Sequence, residues 1–386
     1  MKKRILKVGI VVEYNPFHNG HLYQINKIKK IFGEKIFLVI IVSGDFVQRG
    51  EMSFLNKWEK TQAALKSGID LIVELPLYYS IQNAEIFCKI STKTLDYLNI
   101  DIQVFGAEEE NIEKLKKVIE IQESQNYKNK LMEYMKLGNS YTSSQRLALE
   151  EYGLQDVVKS NNILAIEYMR EIKKEKLKIN PYVIKREISE YNEKKVKKSS
   201  KNFASALFIR SKIEFEGQNI DYDEIGKYVP NEVIKIIKEK VGKKRDEKKI
   251  KEKIFEIFKY KILTEEKEKI LQIYDISEEI YRRLTNVVKK SQNFFEFTKN
   301  VKSRNFSNKR IDRIIFNVLL NIKESIMNYE IDYVRVLGFN HTGRLLLKDL
   351  KEKKVFVNWK DIEKFSKTEN NKILKEKVKI EKNGFY

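Results

Sequence analysis

Short apolar runs rich in β-branched residues alternate with longer amphipathic segments through the first half of the chain. Residues 8–12, 37–42, 71–75 and 102–105 have the length and composition of strands. Between them, residues 22–32, 56–67 and 82–98 place apolar side chains at three- and four-residue steps, which predicts helices. Alternation of this kind needs crossover connections, so the strands are expected to lie parallel with both faces of their sheet covered. The expected class is α/β. Such sheets bind ligands at the carboxyl ends of their strands, which directs attention to the loops after Val12, Val42, Leu75 and Phe105.

The pattern then changes. Residues 112–174 read as helical, 181–185 as a further strand, and 193–201 as a loop rich in Lys and Ser. A helical segment at 205–215 leads into the polar stretch 216–223, which suggests a first domain at 1–215 and a second at 224–386. In the second, residues 231–240, 249–258, 277–292 and 309–329 have helical periodicity, and 335–338 and 355–358 read as short strands or turns. No internal repeat is visible.

Composition narrows the picture. The 386 residues suffice for two or three domains, and a 42% hydrophobic fraction excludes a disordered chain. A single cysteine, Cys88, excludes an internal disulfide and a Cys-rich zinc module; its apolar helical surroundings place it in the core. No apolar run approaches the roughly 20 residues needed to span a bilayer. Residues 1–7 are basic, but a polar motif follows them where an export signal would have an apolar stretch. A soluble cytoplasmic protein is expected, with no membrane association and no stable protein partner.

The net charge is +21, from 62 lysines and 14 arginines against 55 acidic residues. It is unevenly spread: residues 1–160 sum to +2 and residues 161–386 to +19. A codon bias toward lysine would act everywhere. The imbalance therefore favours a localised surface for a polyanion. Basic clusters in the second part include Arg282-Arg283, 243–245, Arg304 with Lys309-Arg310, and Lys351 with Lys353-Lys354. With Lys197, Lys198 and Lys201 of the basic loop, they are candidates for RNA phosphates.

Of three histidines, two stand three positions apart in the run Gly9-Ile-Val11-Val12-Glu13-Tyr14-Asn15-Pro16-Phe17-His18-Asn19-Gly20-His21-Leu22. A strand enters a turn and His-x-Gly-His opens a helix. A helix start offers backbone N–H groups and a positive dipole end to an anion. Gly20 allows close backbone approach, and two imidazoles can donate to phosphate oxygens as a pyrophosphate departs. Arg49, in the Ser43–Glu51 loop, is a further phosphate candidate. Gly106 suits a place where backbone passes close to a ligand. Glu74 reads as a structural carboxylate and His341 as a loop residue.

His18-Asn19-Gly20-His21 resembles the signature of the HIGH-type nucleotidyltransferases. The longer run from Val12 to His21 resembles the bacterial tRNA(Met) cytidine acetate ligase family. Further blocks agree with that family in order and spacing: Ser43–Glu51, Lys57-Trp58, 68–76, Phe105-Gly106, Asn161-Asn162, Lys185-Arg186, Ser205 with Arg210, and 336–339. The resemblance implies a Rossmann-like parallel-sheet nucleotidyltransferase domain followed by a mainly helical, tRNA-binding C-terminal domain. It implies a ligase that activates acetate with ATP, with Mg²⁺ expected alongside the triphosphate, and acetylates the wobble cytidine of elongator tRNA(Met). It points to His18 and His21 as catalytic. Val11 to Leu22, Gly106, Asn161 and Arg186 are implied as the ATP site, with Ser205 and Arg210 as phosphate contacts. Leu207 stands where the superfamily often has Thr, and Glu187 follows Arg186 where a small residue is usual. Two alternatives remain open on sequence: an adenylyltransferase for a small cofactor precursor, and an RNA-binding protein with a decayed nucleotide site.

Overall fold

A computed structural model describes residues 4–186, 203–216, 220–241, 247–303 and 307–384. Nine strands occur among them: β1 (Leu6–Val12), β2 (Ile36–Ser43), β3 (Phe46–Val47), β4 (Glu51–Met52), β5 (Leu71–Leu75), β6 (Ile102–Ala107), β7 (Asn180–Lys185), β8 (Val334–Phe339) and β9 (Val355–Phe356). Seven form one sheet in the order β7-β6-β1-β2-β5-β8-β9, and β3 and β4 make a separate antiparallel hairpin. All neighbours in the large sheet are parallel except β5 and β8. The chain winds outward from β1 through β2 to β5, then returns to β6 on β1's other side. That reversal leaves a crevice between the carboxyl ends of β1 and β6, the usual ligand position in an open α/β sheet.

Period-two alternation divides the sheet's side chains between two cores. Val39 and Ile41 of β2 face one, with Leu71, Val73 and Leu75; Leu38, Ile40 and Val42 face the other, with Val8 and Ile10. Both faces are buried, which is why β2 is apolar throughout. Helices Ala84–Tyr97 and Ser160–Lys174 cover the first face, and Asn19–Phe32, Lys57–Lys66, Ala206–Glu216 and Asn231–Val241 the second. Asn56 and Asn83 cap two of these helices by accepting from backbone N–H groups two or three residues on.

The basic C-terminal part is not separate from this sheet. Ile225, Val229, Val233 and Ile237 belong to the second core, so the polar stretch at 216–223 does not divide the hydrophobic packing. The expected short strands at 335–338 and 355–358 are β8 and β9, and they complete the sheet. Between these two contributions, residues 255–318 form their own helical core around Phe258, Phe297 and Ile314. The single helix expected over 309–329 ends at Leu320, because Asn321 takes a left-handed conformation, φ 54°, and caps it. His341 opens helix His341–Asp349 and is not a loop residue; Asn340 caps it, accepting from Gly343 N–H. Cys88 is buried, as expected. Among the described residues no helix is long and apolar enough to cross a membrane.

Candidate active site

The loop from β1 to helix Asn19–Phe32 is built around two imidazoles. His18 is the helix N-cap, and its Nδ1 accepts from the Gly20 N–H at 3.0 Å. His21 reciprocates: its Nδ1 accepts from the His18 N–H at 3.2 Å. This is a capping box made of histidines. An imidazole nitrogen that accepts carries no proton, so each ring is held as the tautomer with its hydrogen on Nε2. The rings stack with centroids 3.8 Å apart. Tyr14 takes a left-handed conformation, φ 46°. This costs a non-glycine residue about 1–3 kcal/mol. Burial of its ring against Phe17 and His21, at 4.6 and 4.7 Å between centroids, holds it there.

Burial, then the nearby Arg186 guanidinium, holds His18 down at about 3; burial, His18 and Arg186 act the same way on His21. Both are neutral hydrogen-bond donors at physiological pH. An unfolded histidine takes up its proton at about pH 6.5, whereas folded His18 does so at about 3. Between those values the unfolded chain binds the extra proton, so the stability contributed by the neutral ring is full above pH 6.5 and declines as pH falls. Urea midpoints from pH 7 to 5 are expected to drop more steeply for the wild type than for His18→Asn. Parallel curves would show that the folded ring titrates normally.

His18, Gly20 and His21 line a cleft of about 440 Å³, open to solvent, with Tyr23, Gln24, Gly106, Ile184, Lys185 and Arg186. Gly106 and Ala107 of β6 pair with Ile184 and Lys185 of β7, so three chain segments converge at one edge of the sheet. A Cβ on Gly106 would lie 3.1 Å from Arg186 Cγ; the glycine is what lets the arginine cross its strand. Arg186, Lys185, whose ammonium also pairs with Glu110 at 2.9 Å, and two neutral N–H donors thus border the cleft, groups whose chemistry suits an anion. Sequence reading did not single out Tyr23, Gln24 or Ile184. Gln24 was findable, since it lies one turn beyond His21 on the same helix face.

Other expected residues lie behind this cleft. The helix-start N–H groups are not free: Asn19 N–H donates to the Tyr228 carbonyl at 2.9 Å and Gly20 N–H to His18. Side chains therefore remain as the loop's donors to the cleft. Glu13 accepts from Gln48 N–H at 2.7 Å, and Asn15 Oδ1 from Phe54 N–H at 2.7 Å, tying the loop to the β3–β4 hairpin. Val12, Tyr14 and Phe17 are core; Val11 and Leu22 pack against it. Ser205 caps its helix, accepting from Phe208 N–H, and Arg210 donates to the Asn15 carbonyl. Arg49 and Arg210 lie near Glu51; burial raises that carboxyl, but Lys309, Arg210 and Arg49 together hold it below its ordinary range. Asn161 donates to Glu108 at 2.6 Å, just beyond Gly106. Arg283 donates to the carbonyls of Val301 and Lys302, while Arg282 is exposed. Glu187, Lys197, Lys198 and Lys201 lie outside the described residues.

A histidine pair at this crevice defines a class, and comparison with known proteins agrees. The HIGH Nucleotidyl Transferase family matches residues 6–384, and the chain belongs to it. Within that class it falls in the tRNA(Met) cytidine acetate ligase family. The relative of that name from Thermoanaerobacter sp. (strain X514) is 37% identical over 357 residues, 90% of this chain and 86% of its own length. That from Clostridium novyi (strain NT) is 36% identical over 358 residues, 89% of this chain and 87% of its own. The crystal structure of Thermotoga maritima TmcAL superposes with a TM-score of 0.87 at 24% identity, covering 98% of this chain and 93% of that one. A form of it bound to alpha-thio ATP gives 0.84 over the same shares.

Proposed function

We propose that the chain activates acetate with ATP and transfers the acetyl group to N4 of the wobble cytidine of elongator tRNA(Met). A carboxylate oxygen of acetate attacks the α-phosphorus, the bond to the β-phosphate oxygen breaks, and pyrophosphate leaves. The N4 amine then attacks the acetyl carbonyl of acetyl-adenylate; AMP departs and the amine loses a proton. The observation that carries this reading is the locked pair of neutral histidines in a cleft with Lys185 and Arg186. Their Nε2–H groups donate to oxygens that gain charge as pyrophosphate leaves, and need no reorganisation to do so. No covalent enzyme intermediate is required; positioning and charge stabilisation suffice.

The names of the relatives support the choice of acetate and tRNA over a free small-molecule acceptor. The tRNA is placed against the basic part of the chain, residues 161–386, with +19 of the +21 charge. Mg²⁺ is proposed to enter as the counter-ion of the triphosphate. Among the described residues no group of three or more His, Cys, Asp or Glu could hold a metal, and the cleft's own donors suit phosphate. No step is therefore routed through the ion. A cytoplasmic site of action follows from the tRNA substrate.

The test is pyrophosphate release from ATP with and without acetate, followed by mass analysis of tRNA(Met) incubated with the protein. Acetate-dependent release and acetylcytidine are expected. Turnover that ignores acetate and leaves tRNA unmodified would sink the reading.

A further inference from the structure

Both tryptophans of the chain flank one arginine on the sheet edge that carries the histidines. The guanidinium carbon of Arg335, on β8, lies 4.8 Å from the Trp359 ring centroid and 5.6 Å from that of Trp58. Glu74, opposite it on β5, accepts from Arg335 Nη1 at 3.0 Å and from Lys57 Nζ at 2.9 Å, which fixes the guanidinium in place. β8 runs antiparallel to β5, so Arg335 emerges beside the carboxyl end of β5, at the edge where the ATP cleft also opens. Arg335 is only 8% exposed, whereas Trp58 above it is 52% exposed. With the cation over one face of the indole, the exposure falls on the rest of the ring.

We infer that the Trp58–Arg335–Trp359 stack is a docking platform for an unstacked base of single-stranded RNA. The inference rests on the reading of the chain as a tRNA-modifying ligase and adds where the loop presenting the acceptor base is gripped. Proteins hold the splayed bases of RNA loops on rigid aromatic faces, and guanidinium planes serve the same purpose. The buried ion pair beneath the half-exposed indole holds the guanidinium, and with it the ring face, rigid. Position determines which base is held. From β1 to β8 the sheet takes three strand spacings, and from β6, which also lines the cleft, four, so the two sites are about 14–19 Å apart. The platform therefore receives a base flanking the modified one and not the modified base itself.

These are the chain's only tryptophans, so intrinsic indole fluorescence reports on the platform alone. A tRNA(Met) anticodon stem-loop titrated into the full-length protein is expected to quench that fluorescence saturably. Trp58→Ala should raise the KM for tRNA about ten-fold or more while kcat moves less than about two-fold, and Trp58→Phe, which keeps an aromatic face, should recover most of the loss. Pyrophosphate release from ATP and acetate without RNA separates the two levels of the argument. A Trp58→Ala protein that acetylates tRNA with the wild-type KM overturns the platform alone. A wild-type protein that forms no acetylcytidine overturns the functional reading, and the platform with it.

Discussion

Asparagine at position 18 leaves the protein folded and slows acetate activation by about two to three orders of magnitude. Alanine would confound the experiment, because His18 also caps helix Asn19–Phe32 through Nδ1. Asparagine is among the best N-cap residues, and its side-chain oxygen can accept from Gly20 N–H as the imidazole does. What it lacks is the Nε2–H, the one polar atom of His18 that the loop leaves for a phosphate. The variant therefore isolates the donor from the cap. The measurement is single-turnover pyrophosphate release at saturating ATP, with the urea midpoint as a control. A loss in kcat with an unchanged KM for ATP assigns the hydrogen bond to the transition state. A rise in KM alone would mean that His18 only holds ground-state ATP, and the proposed role would fail.

The largest effect on stability belongs to Glu74. Its carboxylate pairs with Lys57 at 2.9 Å and Arg335 at 3.0 Å, and the side chains of all three are less than a tenth exposed. Burial, and then the nearby Glu74 carboxylate, push Glu381 up to about 8. Glu74→Ala removes the carboxylate that bridges the two buried cations, leaving Asp45 at 3.4 Å from Lys57 and the buried Glu381 nearby. Removing one member of such a set typically costs 3–5 kcal/mol, roughly. The expected result is an unfolding free energy, from urea titration at pH 7, lowered by that amount, while a triple replacement of Glu74, Lys57 and Arg335 by apolar residues of similar volume loses much less. A loss under about 1 kcal/mol for Glu74→Ala would show that water already screens the network.

The sheet's first four long strands were readable because each is a mostly apolar, β-branched run too short for a helix. The histidine loop was readable because rare residues stood in one short run after a strand. Its inner workings were not. That both Nδ1 atoms are consumed by backbone N–H groups depends on the φ and ψ of His18, which no spacing rule supplies. Glu13 and Asn15 look like ligand-binding polar residues in sequence, yet their partners Gln48 and Phe54 lie 35 and 39 positions away. Arg210 is a similar case, since its carbonyl partner, Asn15, is 195 positions distant. Capping asparagines, by contrast, act on their own neighbours, and the start of helix Lys57–Lys66 fell where Asn56 placed it. The expected boundary at 216–223 followed local polarity, and local polarity says nothing about a strand that returns more than a hundred residues later.

That return bears on how the protein is made. Arg335 and Glu74, opposite each other in the sheet, are 261 positions apart. Until β8 leaves the ribosome, β5 presents a row of unpaired peptide groups flanked by side chains that the finished molecule buries completely. A nascent chain thus carries a sticky sheet edge through most of its synthesis, and contacts of such long range close late. The protein's vulnerable period is its own translation, and the arrival of β8 ends it.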